Sequence, residues 1–586
     1  SLEQRDLTGT LAQRTREESG NYITGRMLVD FETNADDATK IDAIITPSTA
    51  YVNGFRHSFI NDIPIPLTKP RTTASINNTT TAANYGNYVL VTTMKGIFRI
   101  DQMSQINLKD AVTHGGNTIG TARARAIEKD GSNYRVYLFD IIMAAGSNFA
   151  QVRSIGTSTI IYGDIDLTNT GVANQGGNVA VLRDAGNNNL FFEVSRDRPK
   201  TLTDITLTTQ HRVVATTSGS GVASLTASSL IGSGYAFTDA SSWIAAATDD
   251  GIIDTSDVVI TIASGGASAT VAGLVAGQEH AFIVYAQKTA TVKTKTLTTV
   301  GETAITPSTI GGKANSISLG KTDIYDIVSI TKSSVDISDR YILDKGQQDN
   351  FYDVGKLILK AGAAAPSGDV TVSFRYFAHA TNGDFFAVNS YDGQIDYEDI
   401  PSHRTKSGEN LNLRDVLDFR SSRATDGINF HTGTDAEVIP LPANNDLITY
   451  DLSFYLGQKG IAYIHKSGRV GVELGDAEEF PKYPILDNNY LKLARIHLFP
   501  YTLNDEDLYI SHIDNKRYTM RDIGNIEKRI DQIEELTALN LLETETANLD
   551  VLDSAGNNRL KSGITADNFK NHFQSDTTLP GYRASI

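Results

Sequence analysis

Short runs of alternating apolar and polar residues fill most of the chain. This period-two pattern is typical of β-strands that bury one face. Clear examples are NYVLVTTM from Asn87, VTVSFRYFAH from Val370 and ITYDLSFYLG from Ile448. Gly, Pro, Asn and Asp separate the runs, as turns between strands require. The sequence therefore predicts a mainly β, multidomain protein built from β-sandwich-like modules.

Individual segments give more specific predictions. In ARARAIEKDGSNYRVYLFDI (122–141), alternating residues lie on both sides of Asp130-Gly131, which predicts a β-hairpin. The aromatic run DFFAVNSY (384–391) predicts a strand, and the proline-rich PIPLTKPRTT (64–73) predicts an extended connector. Near the start, short strands are expected at Met27–Phe31, at Ala43–Ile45 and around Tyr51–Phe55.

Residues 200 to 300 differ in composition from the rest, with small polar residues and few charges. His280, Phe282, Val284 and Ala286 alternate, so they share one face of a strand. This strand resembles the penultimate strand of fibronectin-type or immunoglobulin-like sandwiches. The composition shift predicts an inserted sandwich domain.

The pattern as a whole predicts six segments along the chain. They are an N-terminal mixed module (1–75), a β domain (76–200), the inserted sandwich (201–305), a second β domain (306–510), a long helix (511–553) and a C-terminal extension (554–586).

A long helical pattern runs from Arg517 to Leu552. Its isoleucines step by three, four and three, with charged residues between them, which is a coiled-coil seam. The later leucines at 536, 539 and 542 leave this register. Two interpretations stay open: an amphipathic helix docked on its own domain, or a short coiled coil between subunits. In the coiled-coil interpretation, the chain forms a homo-oligomer, with a trimer favoured. The residues in contact between subunits are then Ile523, Ile526, Ile530 and Ile533.

Composition narrows the possible partners. The 586 residues carry a formal net charge of −17, which repels nucleic-acid phosphates and anionic lipids. There is no Cys, which excludes disulfides and Cys-ligated metals. No apolar run is long enough to span a bilayer, and the opening SLEQRDLTGT does not have the pattern of a signal peptide. We expect no nucleic-acid partner and no membrane insertion.

Candidate chemistry is sparse. The chain has no HExxH, P-loop, GxSxG or GxGxxG motif, and its eleven His are scattered. The densest carboxylate group, in VDISDRYILDKGQQDNFYD (335–353), has the wrong spacing for a calcium loop. We therefore predict no enzyme, with no catalytic, cofactor-binding or metal-binding residues and no cofactor. The aromatic pair Phe351–Tyr352 is either a contact region or ordinary core.

Six groups of segments follow one another along the chain. They are RTREESGNYITGRM with ITPSTAYVNGF and KPR; IGTARARAIEKDGSNYRVYLFDI; DRYILDKGQQDNFYDVGKLILK with VSFRYFAH; YEDIPSHRT with LRDVLDFRSSR; YDLSFYLGQKGIAYIHKSGRVGV with LKLARIHLFPYT; and IDNKRYTMRDIGNIEKRIDQIEELTALNLLE with NRLKSGITADNF. In this order, the groups resemble structural proteins of T-even-like and related myophages that carry a phage-specific domain of unknown function.

The resemblance implies a structural component of a contractile phage tail, in the baseplate or as a fibre anchor, that acts by assembly contacts. Its partners would be other tail, baseplate and fibre proteins. Its location would be the virion, after assembly in the host cytoplasm. The alternative is a receptor-binding or polysaccharide-degrading tail spike. A spike would be expected to show a regular β-solenoid repeat and exposed Trp platforms, whereas the chain has one Trp, Trp243.

Overall fold

The protein is mainly β and multidomain, as the alternating pattern predicts. A computed structural model describes residues 2–168, 178–254, 257–547 and 554. Contacts within the chain group it into two compact units. The first unit combines Ser1–Pro70 with Gly457–Ile586, and the second unit is Arg71–Leu456. Within the residues described, no helix is long and apolar enough to cross a membrane.

The elements follow one another in this chain order. Up to residue 70 they are α1 (Leu2–Ser19), β1 (Tyr22–Thr24), β2 (Val29–Thr33), β3 (Lys40–Ile45), β4 (Thr49–Val52), β5 (Phe55–Ser58) and β6 (Ile63–Thr68). From there to residue 226 they are β7 (Thr73–Ala82), β8 (Tyr88–Lys95), β9 (Gln105–Lys109), β10 (Thr118–Asp130), β11 (Asn133–Met143), β12 (Ser154–Ser158), β13 (Ile161–Ile165), β14 (Phe191–Glu193), β15 (Thr201–Thr216) and β16 (Ala223–Thr226).

The next stretch, to residue 359, contains α2 (Ala227–Leu230), β17 (Ala236–Thr238), β18 (Ile244–Ala247), β19 (Val259–Ile262), β20 (Ser268–Ala272), β21 (Glu279–Ala290), β22 (Lys295–Ile305), β23 (Ser308–Ile310), β24 (Lys313–Thr322), β25 (Ile324–Lys332), β26 (Val335–Asp336), β27 (Tyr341–Asp344), β28 (Phe351–Tyr352) and β29 (Val354–Leu359).

The remaining elements are β30 (Val370–His379), β31 (Ser402–Arg404), β32 (Asn410–Asn412), β33 (Val416–Asp418), β34 (Ser421–Ser422), β35 (Leu447–Tyr455), β36 (Gln458–His465), β37 (Val470–Leu474), β38 (Tyr490–Leu498), β39 (Leu508–His512) and α3 (Met520–Ala547). Short 3₁₀ turns occur at Phe149–Gln151, Ala240–Ser242, Ser338–Arg340, Val388–Tyr391 and Tyr397–Asp399. The end of the predicted helix, at 548–553, and the predicted extension, apart from residue 554, lie outside the described residues.

The first unit joins both ends of the chain around one core. Its sheets have the strand orders β1-β4-β5, β2-β3-β6 and β37-β36-β38-β39. One apolar cluster contains Phe31 and Ile41 from the N-terminal part together with Ile464 and Leu493 from the C-terminal part. Alternation along β3, whose side chains are buried at every second position, explains why this strand contributes to the core.

The prediction of a connector at 64–73 is wrong for its first half. Residues 63–68 form β6, which pairs with β3, so that Pro64 is opposite Ile44 and Pro66 is opposite Asp42. β6 is an edge strand of its sheet. Proline has no N–H to donate, and an edge strand tolerates it because one side of the strand needs no partner.

A closed barrel begins the second unit, with the strand order β10-β11-β8-β13-β12-β9. The predicted hairpin is confirmed: β10 and β11 pair antiparallel, with Asp130 opposite Asn133. The turn consists of Gly131 and Ser132, and Gly131 has a φ of 62°, a left-handed conformation that glycine adopts at little cost. Val89, Leu108 and Val136 are among the residues that fill the core of this region.

A larger sheet lies in the same unit, with the strand order β17-β21-β15-β35-β7 and with β18 also paired to β21. β15 and β21 pair over twelve residue positions, from Ile205–Ala290 to Thr216–Glu279. β15 also pairs with β35, so this sheet includes strands from outside 201–305. The six-segment division stays a prediction.

Two further sheets of this unit share a core. Their strand orders are β22-β30-β25-β26 and β23-β24-β29-β27. Ile317 and Leu357 from the second sheet and Ile330 and Phe374 from the first belong to one apolar cluster. The predicted strand at 384–391 is wrong: this segment contains the 3₁₀ turn at Val388–Tyr391.

Candidate functional site

Tyr352 lies at the centre of a buried network of charged side chains in the second unit. It is on β28, which pairs parallel with β34, so that Tyr352 is opposite Ser422. Its hydroxyl donates a hydrogen bond to Asp418 Oδ2 and accepts one from Lys295 Nζ at 2.9 Å. This single hydroxyl therefore links a cation with a carboxylate.

Lys295 is the first cation of the network, and its side chain is fully buried. Nζ donates to Asp323 Oδ2 at 2.7 Å and to the Tyr391 hydroxyl at 3.0 Å. The rings of Tyr352 and Phe386 lie 4.7 Å from Nζ. All three ammonium donors are therefore used, and aromatic faces add a favourable cation–π interaction.

Arg420 is the second cation and is also fully buried. Its Nε and Nη2 donate to the two oxygens of Asp418 at 3.0 and 2.9 Å, and its Nη1 donates to Gln347 Oε1 at 2.7 Å. Its guanidinium carbon is 3.9 Å from the centre of the Tyr352 ring. Two cations thus face two carboxylates, and the network carries no net charge.

His379 closes the network on the side of Asp323. Its Nε2 is 2.9 Å from Asp323 Oδ2, and its Nδ1 is 2.8 Å from Ser422 Oγ. Burial lowers the pKa of His379 and outweighs the opposite effect of the Asp323 carboxylate, so the ring is neutral. Burial alone would raise the pKa of Asp323, but the Lys295 ammonium and the His379 hydrogen bond lower it well below its usual value.

The network is a closed structural element. Lys295, Asp323, Asp418 and Arg420 are all buried, and hydrogen bonds join them to one another or to neighbouring side chains. Within the described parts of the chain, no group of three or more His, Asp or Glu side chains is arranged to hold a metal ion. The mutual pairing of these four side chains offsets the cost of burying their charges, because a buried charge needs a partner of opposite sign.

Acidification is expected to destabilise the second unit in two pH ranges. An unfolded His379 takes up a proton below about pH 6.5, whereas the folded one stays neutral, so the free energy of unfolding falls below that pH. Burial also lowers the pKa of His211, to about 3, which adds to this loss. Asp323 and Asp418 have lowered pKa values, so their contribution is present above about pH 4 and is lost as the pH falls further.

Urea unfolding, followed by the fluorescence of the buried Trp243, measures this pH dependence in the second unit. The variant His379→Gln keeps a hydrogen-bonding side chain but does not titrate. We expect it to lose less stability than the wild type between about pH 6.5 and pH 5. Equal losses in the two proteins would contradict the assignment of a neutral, buried His379.

A second ionic cluster lies beside Phe351. Arg423 bridges two carboxylates, with Nη2 at 2.6 Å from Asp140 Oδ2 and Nη1 at 3.0 Å from Asp353 Oδ1. Its guanidinium carbon is 4.5 Å from the centre of the Phe351 ring. Phe351 also meets Phe430 edge to face, with ring centres 5.4 Å apart.

The structure thus buries both members of the aromatic pair that the sequence singles out. Phe351 and Tyr352 occupy neighbouring positions of β28 and face two different ionic clusters. Both side chains are core in the folded chain, which is one of the two interpretations that the sequence leaves open. A buried side chain offers no surface to a partner unless the unit opens.

The four seam isoleucines lie in a different setting, on α3 of the first unit. Thr519 and Asp522 cap the start of this helix, since Asp522 Oδ2 accepts hydrogen bonds from the backbone N–H and the hydroxyl of Thr519 at 2.9 and 2.6 Å. Ile523, Ile526, Ile530 and Ile533 are between 41% and 57% exposed. The apolar residues continue as exposed leucines at 536, 539, 541 and 542.

The four isoleucines form an exposed apolar stripe along one side of α3, whereas the leucines at 536, 539 and 542 lie on another side of the helix. The solvent-facing side of a helix is normally formed by polar residues. A contiguous exposed apolar surface therefore marks an interaction site. Along the part of α3 whose side chains are described, the stripe residues stay largely exposed. The stripe is therefore the candidate functional site of the chain.

The sequence analysis did not identify the residues of the buried network. One local pattern in the sequence nevertheless indicates two of them. In VLDFRSSR (416–423), Asp418 and Arg420 alternate within an apolar context, which places both side chains on one face. Charged residues on the buried face of a strand indicate an internal ion pair. The partners of these residues, such as Lys295 and Asp323, are distant in sequence, and no local pattern identifies them.

Comparison with known proteins gives one match. Neither a curated protein nor a solved structure matches the chain. Residues 287–586, about half of the chain, match a family described as Domain of unknown function (DUF4815). The matched range contains the whole network from Lys295 to Ser422 and helix α3. The chain belongs to the DUF4815 family.

Proposed function

We propose that the chain is a structural protein of a contractile bacteriophage tail, located in the baseplate or at a fibre anchor, and that it acts by assembly contacts. The observation that carries the assembly role is the exposed apolar stripe of α3. Full burial of an Ile side chain contributes about 1.5–3 kcal/mol. The four isoleucines are already about half buried, so covering each of them contributes on the order of 1 kcal/mol. Covering the stripe with partner helices is therefore favourable.

The partner of the stripe in this proposal is a second and a third copy of the same chain. Ile523, Ile526, Ile530 and Ile533 follow the three-four-three spacing of a coiled-coil seam. Isoleucine at both seam positions favours three or four strands over two. Two heptads alone make a marginal coiled coil. Contacts elsewhere in the subunit therefore contribute to the trimer.

The placement in a phage tail rests on the resemblance of the ordered segments to structural proteins of myophages. The third group of segments, DRYILDKGQQDNFYDVGKLILK with VSFRYFAH, supplies Gln347, Tyr352 and His379 to the buried network. The fourth group supplies Asp418 and Arg420. The segments that resemble the myophage proteins thus supply most residues of the buried network. Because these residues contact one another in the fold, the segments are expected to occur together in one family.

The proposal includes β-sandwich-like modules in the second unit. The sheets β22-β30-β25-β26 and β23-β24-β29-β27 bury side chains in a common cluster, as the two faces of a sandwich do. We propose no catalysed reaction for the chain, because the side chains of the charged network are buried and paired with one another. The proposal also includes no nucleic-acid partner and no membrane insertion, in keeping with the net charge of −17.

Mass spectrometry of purified phage particles tests the location. We expect peptides of this chain in intact particles and in isolated tails, and none in tail-less heads prepared from the same lysate. A major capsid peptide, present in intact particles and in tail-less heads, serves as the internal control. Peptides recovered at equal abundance from heads and tails, or absent from intact particles, would contradict a tail location.

A further inference from the structure

A polar cavity of about 470 Å³ opens in the second unit, apart from the buried network. Its walls come from β10, β15, β17, β21, the 3₁₀ turn at Ala240–Ser242 and the loop that precedes β35. Neighbouring strands build one wall, because Tyr285 on β21 is opposite both Gln210 on β15 and Thr238 on β17. Side chains at such cross-strand positions share one face of a sheet.

Tyr285 provides an unused hydrogen-bond donor in this wall. The side chain is only 5% exposed, and its hydroxyl accepts a hydrogen bond from Gln210 Nε2 at 2.8 Å. Gln210 is fixed in turn by the backbone of Ile127, which it contacts at 2.9 and 2.6 Å. A tyrosine hydroxyl also donates one hydrogen bond. Among the described residues, the Tyr285 hydroxyl has no acceptor for its hydrogen.

Other side chains of the cavity also have unused hydrogen-bonding capacity. The hydroxyls of Thr208, Thr238 and Ser242 line it and, in the described structure, form no side-chain hydrogen bond. Carboxylate acceptors come from Glu128, Asp239 and Asp446. Glu128 is held in place by the hydroxyl of Tyr137, which donates to Oε2 at 2.8 Å. The lining therefore offers both donors and acceptors.

Charge restricts the class of ligand. Three carboxylates face one ammonium group, that of Lys129, so the cavity repels phosphates, sulfates and other anions. Across the described residues, no group of three or more Asp, Glu or His side chains suits a metal ion. These charges leave two classes of organic ligand, cations and uncharged compounds with many hydroxyl groups. The unused hydrogen-bonding capacity of Tyr285, Thr208, Thr238 and Ser242 favours the second class, because such a ligand both donates and accepts many hydrogen bonds. Sugar hydroxyl groups have this property.

We propose that this cavity binds one neutral saccharide unit through hydrogen bonds. The Tyr285 hydroxyl donates to a sugar oxygen, and the carboxylates that line the cavity accept from sugar hydroxyls. Trp243 is not a stacking platform: it is buried, and its Nε1 donates to Thr238 O at 2.9 Å, which holds the wall at Thr238 in place. Every residue of the cavity belongs to the second unit, and the inference does not depend on assembly through α3.

Titration of the full chain with simple sugars tests the proposal. The probes are the neutral D-glucose, D-galactose and N-acetyl-D-glucosamine, the anionic D-glucuronate and the cationic D-glucosamine, followed by saturation-transfer NMR and calorimetry. We expect at least one neutral sugar to bind and D-glucuronate to bind more weakly. Absence of binding by all neutral sugars overturns the proposal, and so does tighter binding of D-glucosamine than of any neutral sugar.

Substitutions place the binding in this cavity. Tyr285→Phe removes the donor but keeps the ring, and we expect it to weaken the binding of the neutral sugar about tenfold, as the loss of one hydrogen bond does. Tyr341→Phe is the matched control, since the Tyr341 hydroxyl is buried without a partner within the described structure. It should bind as the wild type does.

A second variant, Ser242→Ala, tests a half-buried wall position at which loss of folding is not expected. It should also weaken binding, and circular dichroism checks the fold of each variant. If the sugar binds Tyr285→Phe and Ser242→Ala as tightly as the wild type, the ligand lies elsewhere and the proposal is wrong. The variant Ile526→Asp/Ile530→Asp should retain sugar binding, which separates this test from that of assembly.

Discussion

Replacement of Ile526 and Ile530 by aspartate is expected to dissociate the oligomer and to leave both β-rich units folded. In a trimer, the two positions place six carboxylates at the seam of three helices. An unpaired charge buried there costs on the order of several kcal/mol. In the single chain the two side chains are half exposed, so the change costs little within the subunit.

Light scattering measures the outcome. The wild type should have about three times the 63.4 kDa mass of one chain, and the double variant should have the mass of one chain. Circular dichroism should show the same β-sheet content for both. A wild type that is monomeric at all concentrations would contradict the seam. A variant that unfolds as a monomer would show that the stripe packs within its own chain.

The matched control carries aspartate at Asn525 and Gln532. At 3.6 residues per turn, these two positions lie on the side of α3 opposite the seam, and both are exposed. The control adds the same two negative charges to the same helix. It should therefore remain trimeric, which distinguishes burial at the seam from general charge repulsion.

Replacement of Arg420 by methionine should strongly destabilise the second unit. The change leaves the Asp418 carboxylate buried with the Tyr352 hydroxyl but without its bidentate cation. Breaking a buried ion pair by removal of one partner costs about 3–5 kcal/mol. Methionine approximates the volume of the arginine side chain, so a cavity contributes little to the loss. We expect the free energy of unfolding of this unit to fall by that amount.

Arg375→Met is the matched control in the same unit. Arg375 pairs with Asp326 through Nε at 2.8 Å, but their side chains are 38% and 40% exposed. Exposed ion pairs contribute about 0–1 kcal/mol. Urea unfolding followed by Trp243 fluorescence compares the two variants, since this Trp is buried in the second unit. If Arg420→Met costs no more than Arg375→Met, the network is not a determinant of stability.

Local sequence patterns predicted the elements whose neighbours are close in the chain. Alternation along residues 448–455 matches the buried and half-buried positions of β35, whereas Leu447 at the start of the strand is exposed. The hairpin at Asp130–Asn133 followed from one glycine between two alternating strands. The isoleucine spacing indicates a helix over Arg517–Leu552, and α3 spans Met520–Ala547 among the described residues. The choice between a docked helix and a coiled coil stays a prediction.

Patterns failed where distant residues determine the structure. Phe385 and Phe386 are buried, yet they lie outside regular strands: Phe385 O accepts a hydrogen bond from Lys293 N–H, and Phe386 N–H donates to Asp418 O. An apolar run that is covered on both sides is similar to a strand at the level of sequence alone. The pairing of Lys295 with Asp323 likewise depends on the order of strands in the sheet. Lys295 begins β22, Asp323 directly precedes β25, and both strands pair with β30.

The arrangement of the first unit has a consequence for synthesis on the ribosome. Phe31 and Ile41 leave the ribosome early, but their core partners Ile464 and Leu493 follow only after the whole of Arg71–Leu456. At about 5–20 residues per second, this delay is on the order of 20–80 s. During that time the second unit can fold, while the nascent N-terminal strands keep apolar side chains in contact with water. We therefore expect the growing chain to bind holdase chaperones through residues 27–67 and to release them when β36 and β38 emerge.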